Sequence, residues 1–119
     1  MKRVLIVEDE YVTAELFRHV VANRLKHEVV GVAYSGEEAL ARVRELNPDV
    51  VFMDIKMEEE YAGIEACKKI KEERPQTKVF LLTAYSRHVL KDKLDHVPCD
   101  GYIDKLSFSD IVKDLMENL

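Results

Sequence analysis

The chain has 119 residues, of which 47% are apolar and 34% charged, and its 18 basic and 23 acidic side chains leave a formal net charge of -5. That length sets an expectation of one domain, 1–119, large enough for a full core and too short for a second folded module. The acidic balance argues against nonspecific nucleic-acid binding, which needs a basic surface, and no apolar run approaches the roughly 18 residues of a membrane span.

Met1-Lys2-Arg3, followed by only four apolar residues before Glu8, is too short for a secretory signal, so the cytoplasm is the expected compartment. Val4-Leu5-Ile6-Val7 reads as a short buried strand that ends on the carboxylates of Glu8-Asp9-Glu10. From Tyr11 to about Leu25, residues Val12, Leu16, Phe17, Val20, Val21 and Leu25 form a helical stripe, with an acidic first turn as the helix dipole favours. Glu28 to Tyr34 is a second strand. Ser35 then caps a helix with Glu38 three residues on, the pattern of a reciprocal capping box. Ala39, Leu40, Val43 and Leu46 give that helix its face, and Asn47-Pro48 stops it.

Asp49 to Asp54 carries four apolar residues in a row, two of them β-branched, and predicts a strand buried on both faces. A charged loop follows from Lys56 to Ala62, then a turn at Gly63, then a helix from Ile64 to Arg74 with Ile64, Cys67 and Ile70 inward, closed by Pro75. Cys67 and Cys99 lack metal-ligand spacing and read as small buried hydrophobes rather than a disulfide. Lys78 to Thr83 repeats the buried-strand pattern, and Ala84 to His96 is a fourth helix carrying Val89, Leu90 and Leu94. Cys99 to Asp104 makes a short fifth strand leading into Lys105. Ser107 or Ser109 can cap a last helix with Ile111, Val112, Leu115 and Leu119 on its inner side. Five strands alternating with five helices predict an α/β fold: a three-layer sandwich with a parallel sheet and right-handed crossovers.

In such a sheet all carboxyl ends of the strands meet one edge, where open α/β sheets place their ligands, and this edge gathers Glu8, Asp9, Asp54, Thr83 and Lys105. Each has an ordinary reading: a strand-end Asp begins a turn, acids favour a helix amino terminus, a threonine suits a strand, a lysine is solvated. Their coincidence at four strand ends favours a site. With the third strand beside the first, the strand spacing of about 4.8 Å brings three carboxylates close enough to need a cation. All-oxygen donors suit Mg²⁺, or Mn²⁺ in its place, better than zinc. With the Thr83 hydroxyl and the Lys105 ammonium, the set is what a phosphoryl group requires as it moves onto a nucleophile, here the Asp54 carboxylate.

Val4 to Asp9, Met53-Asp54-Ile55-Lys56-Met57, Leu81-Leu82-Thr83-Ala84 and Gly101-Tyr102-Ile103-Asp104-Lys105 together resemble a receiver domain of two-component response regulators, over essentially the whole chain. The resemblance implies a flavodoxin-like strand order of 2-1-3-4-5 and phosphorylation of Asp54 by a phosphohistidine of a sensor histidine kinase or a histidine phosphotransfer protein. It implies that Asp9, Glu8, Asp54 and the backbone carbonyl of Lys56 hold Mg²⁺. Thr83 and Lys105 would contact phosphoryl oxygens, the small Ala84 would leave the donor an approach, and Lys56 and Tyr85 would border the site and affect hydrolysis of the acyl phosphate. Tyr102 would be the switch aromatic. The output would be a face formed by the fourth helix, fifth strand and fifth helix that engages a downstream effector or a second copy.

Three departures from the family pattern stand out. Glu58 replaces a common proline, Gly63 falls nine residues after Asp54 where the family more often places it one residue closer, and Leu106 replaces the proline after the lysine, which puts a cis peptide there in doubt. Four functions compete: a phosphorylation-switched signalling module that is not an enzyme on free substrates; a small Asp54-dependent phosphohydrolase; a flavin or nucleotide carrier; and a degenerate receiver that only docks. Asp54-Ile55-Lys56 lacks a second acid for general acid work, no glycine-rich phosphate loop follows the first strand, and no reacting position is lost. The first is therefore expected, either as a stand-alone receiver or as a piece of a longer regulator.

Overall fold

The computed structural model describes residues 1–84 and 96–119. Strands β1 (Arg3–Val7), β2 (Glu28–Ala33), β3 (Val50–Asp54), β4 (Lys78–Thr83) and β5 (Gly101–Asp104) form one sheet in the order β2-β1-β3-β4-β5. Every neighbouring pair is parallel, so all carboxyl ends share one edge. Helices α1 (Tyr11–His19), α2 (Gly36–Leu46), α3 (Ala62–Glu73) and a C-terminal helix (Phe108–Glu117) cover the sheet. This is the flavodoxin-like three-layer sandwich expected from the sequence. The expected fourth helix lies, but for its two end residues, outside the described residues.

Continuous apolar strands give two cores because successive side chains point to opposite faces. Val4, Ile6, Val50, Phe52, Phe80 and Leu82 pack with Phe17 and Val20 and with Phe108, Val112 and Met116 of the C-terminal helix. Leu5, Val7, Val51, Met53, Val79 and Leu81 pack with Ala39 and Val43 of α2 and Ile64, Cys67 and Ile70 of α3. Phe52 ties the first core together: its ring centroid lies 5.3 Å from that of Phe108, edge to face, and 5.8 Å from that of Phe80. Each such pair adds about 0.5–1.5 kcal/mol beyond the area it buries.

Local details differ from expectation. The first helix gives way at Val20 to a π-helical turn, Val20–Arg24, and its first turn holds no acid, since Glu10 is the N-cap residue. Its inner face is Ala14, Phe17, Val20 and Val21. Val12 and Leu16 point outward, about 140° and 100° around the helix from Phe17. Ser35 Oγ accepts from Glu38 N at 3.0 Å, but Glu38 reaches back to Tyr34 N at 3.2 Å, one residue earlier than a reciprocal capping box. Ser107 is an N-cap without a side-chain bond; instead the Asp104 carboxylate accepts from Leu106 N at 3.0 Å and caps a short 3-10 turn, Lys105–Ser107. The C-terminal helix buries Phe108, Val112 and Met116, with the Phe108 ring tilted against Phe17, and leaves Ile111 exposed; Leu119 lies past the helix end and is exposed too. Both cysteines are free, and burial pushes the Cys67 thiol up to about 12, as an inert core residue requires.

Gly63 lies inside α3 and not in a turn before it. Its N–H donates to the Ile55 carbonyl at 2.8 Å, and a Cβ there would stand 2.0 Å from the Asp54 carbonyl oxygen. Only glycine lets α3 start against the end of β3. Gly63→Ala should therefore lower stability by about 3 kcal/mol or more in urea unfolding. A loss below about 0.5 kcal/mol would show that the contact relaxes freely.

Candidate functional site at the carboxyl edge of the sheet

Val7 of β1 pairs with Met53 of β3, so the next residues, Glu8 and Asp54, come out side by side at the sheet edge. On the far side, Asp54 pairs with Leu82 and Thr83 with Asp104, which brings Thr83 and Lys105 to the same edge. Glu8 is fully buried and Asp54 only 6% exposed, so two acids enter the interior with little water around them. Lys105 Nζ lies 3.1 Å from Asp54 Oδ2 and forms an ion pair with Glu8 Oε1. Glu8 Oε2 accepts from Glu10 N at 3.2 Å, whereas Oε1 has no aligned hydrogen bond among the described residues.

The electrostatics follow from this crowding. Burial pushes the Asp54 carboxyl above the usual range, and Lys105 works against that shift. Burial also raises Asp9, helped by the neighbouring Glu8. Burial works to lower the Lys105 ammonium, but Glu8 and Asp54 prevail and hold it above its ordinary value. Oxygen atoms of Glu8, Asp9 and Asp54 lie within 4.8 Å of one another. An all-carboxylate cluster in which burial raises Asp9 and Asp54 and one ammonium faces two buried acids is chemically suited to a hard divalent cation.

Asp54 opens into a cleft of about 340 Å³ lined by Asp9, Ile55, Lys56, Glu60, Tyr61, Thr83, Ala84 and Lys105. Thr83 is buried, while Lys56 and Ala84 are exposed on the rim. The structure thus brings together Glu8, Asp9, Asp54, Lys56, Thr83, Ala84 and Lys105. Tyr102 does not line this cleft; it is half-buried against the core shared with α2 and α3. Tyr85 lies outside the described residues. Among the described residues no peptide bond is cis, and Leu106 is 94% exposed.

Two rim residues, Glu60 and Tyr61, escape sequence reasoning because only the path of the loop brings them to the cleft. Glu58 also acquires a role its sequence position does not suggest: its carboxylate accepts from Gly36 N at 2.8 Å and Glu37 N at 3.2 Å at the start of α2. Burial works to raise Glu58, but the N–H groups of Gly36, Glu58 and Glu37 together hold it below the usual range.

Comparison with known proteins agrees with this architecture. The family model of the response regulator receiver domain matches residues 4–116. The chain is 37% identical over 105 residues to response regulator GacA of Pseudomonas viridiflava, covering 88% of this chain and 49% of that protein. It is 35% identical over 102 residues to response regulator protein VraR of Staphylococcus aureus, covering 86% of this chain and 46% of that protein. It therefore spans about half the length of these curated relatives. The crystal structure of response regulator protein TrrA of Thermotoga maritima, in complex with Mg²⁺-BeF, superposes over 100% of both chains with a TM-score of 0.84 at 32% identity. With sheet order, clustered acids and family match in agreement, this chain belongs to the receiver domain family of response regulators.

Proposed function

We propose that the chain receives a phosphoryl group on Asp54 from a phosphohistidine of a sensor histidine kinase or a histidine phosphotransfer protein. The observation that carries this reading is the grouping of Asp54, Asp9, Thr83 and Lys105 around one cleft, with Glu8 buried behind them. An Asp54 oxygen attacks phosphorus in line. The P–N bond breaks, its electron pair leaves with the imidazole, and an acyl phosphate remains on Asp54.

Each residue has a physical task. Asp9, Asp54 and the Lys56 carbonyl would hold Mg²⁺, or Mn²⁺, with Glu8 behind them. The cation supplies neutralisation of charge on both the carboxylate and the phosphoryl oxygens. Lys105 would take a phosphoryl oxygen, a reading supported by its pairing with Asp54 at 3.1 Å. Thr83 offers its hydroxyl to another, and the small Ala84 on the rim leaves the donor room. Lys56 on the same rim, with Tyr85, would influence how long the acyl phosphate survives. The chemistry is the chain's own phosphorylation and dephosphorylation, without turnover of free substrates.

The phosphoryl group carries about -1.5 to -2 charges where the carboxylate carried one, a net gain of about -0.5 to -1 next to Thr83, and projects that charge further from the sheet edge. That charge would bias the face of β5 and the C-terminal helix, together with the segment before β5, toward a form that a downstream effector or a second copy recognises. Tyr102 in β5 would turn as Thr83 moves. No helix of the described residues is long and apolar enough to cross a membrane.

Incubation with Mg²⁺ and a small acyl phosphate donor should add the mass of one phosphoryl group to the wild type and none to Asp54→Asn, and chelation should abolish the gain. A gain in Asp54→Asn, or none in the wild type under any donor, would contradict the assignment. Lys105→Ala should slow the gain by about 10-fold or more, the worth of a charge-assisted hydrogen bond. An unchanged time course would remove Lys105 from the reaction.

A further inference from the structure

The connection between β3 and α3 is tied to a different part of the fold. An α-helix leaves its first N–H groups without partners. In α2 these are met from two sources. Ser35 accepts from Glu38 N through its side chain at 3.0 Å, while its carbonyl takes the first regular helical bond, from Ala39 N at 2.9 Å. Glu58 supplies the rest, accepting from Gly36 N at 2.8 Å and Glu37 N at 3.2 Å with its two carboxylate oxygens. A carboxylate is favoured there by charge-assisted bonding and by the helix dipole. The two elements also touch through backbone, since a Cβ on Gly36 would stand 2.9 Å from the Ala62 carbonyl oxygen.

The same loop is closed on its other side. Met57 N donates to the Glu59 carbonyl at 3.1 Å, Ala62 N to the same carbonyl at 3.3 Å, and Gly63 N to the Ile55 carbonyl at 2.8 Å. Ile55 and Met57 are buried in the core, and Lys56 between them lines the cleft beside Asp9 and Asp54. The path of the chain at Lys56 is thus held by the buried Ile55 and Met57 on either side of it and, two residues on, by the Glu58 anchor to α2.

We infer that Glu58 is a positioning residue for the cation site: its hold on α2 fixes the loop and, through it, the Lys56 carbonyl. The inference rests on the reading of the cleft as a Mg²⁺-dependent phosphoacceptor site. Ser35 provides the control, because its hydroxyl caps the same helix turn by accepting from Glu38 N rather than by bonding to the loop.

Calorimetric titration of Mg²⁺ into the metal-free protein tests this, with wild type, Glu58→Gln, Ser35→Ala and Asp54→Asn compared. Glu58→Gln should weaken Mg²⁺ binding by about tenfold, the low end of what losing support of a ligand costs, because the loop that presents the Lys56 carbonyl loses its hold on α2. Ser35→Ala should lower the thermal midpoint yet leave Mg²⁺ affinity unchanged. Wild-type affinity in Glu58→Gln, or an equal loss in Ser35→Ala, would make Glu58 only a helix cap and overturn the inference while leaving the proposed site intact. Absence of Asp54-dependent Mg²⁺ binding in the wild type would overturn the proposed site, and this inference with it.

Discussion

One ammonium group compensates two buried carboxylates, and the carboxyl edge of this molecule is arranged around that fact. Lys105 Nζ touches both Glu8, which is fully buried, and Asp54, which nearly is. Taking each ion from water costs several kcal/mol after relaxation, and a single cation between two anions leaves the balance negative. Burial, with Asp9 nearby, raises the Asp54 carboxyl, and burial with Glu8 nearby raises Asp9, so negative charge at this edge is costly. A cluster of this kind is a poor way to stabilise a fold. It is a suitable place for a divalent cation and for a phosphoryl group that gives Lys105 a new partner.

The sheet forces the cluster into existence. Parallel pairing of β1 with β3 puts Glu8 beside Asp54, and a one-residue slip of β1 in that pairing would turn Val4, Leu5, Ile6 and Val7 to the wrong cores. The two cores hold the strands, Phe52 and Phe108 lock one of them, and Gly63 brings α3 directly against the Asp54 carbonyl. From there the loop runs along the cleft to the cap that Glu58 makes on α2. Packing, backbone geometry and electrostatics therefore meet within a few residues of Asp54. In the proposed function, a change of charge at that point acts on rigid neighbours.

What could be read from sequence divides along a physical line. Apolar runs ending on Glu8, Asp54 and Thr83, with Lys105 after the last strand, place the site because strand ends of a parallel sheet have only one edge to reach. The strand order came from family resemblance, and the sheet agrees. Misread details depend on tertiary contacts. Val12 and Leu16 match a helical period but face outward because Ala14, Phe17, Val20 and Val21 fill the core. Gly63 looks like turn chemistry, but its glycine is required by a close approach that only the folded chain creates. Glu58 is visible in sequence only as a departure from a family proline; its partners at Gly36 and Glu37 lie 22 and 21 residues away and no local pattern announces them. Glu60 and Tyr61 reach the cleft by the same loop path.

The claim that this acidic edge binds a divalent cation is tested most directly by the thermal unfolding midpoint as a function of Mg²⁺, against Na⁺ at matched ionic strength. Binding to the folded state alone should raise stability by about 2.7 kcal/mol when Mg²⁺ reaches about 100 times its dissociation constant, moving the midpoint by several degrees. The rise should disappear in Asp9→Ala. A midpoint that does not move with Mg²⁺, or that moves equally with Na⁺ or in Asp9→Ala, would contradict the cation site and the chemistry built on it.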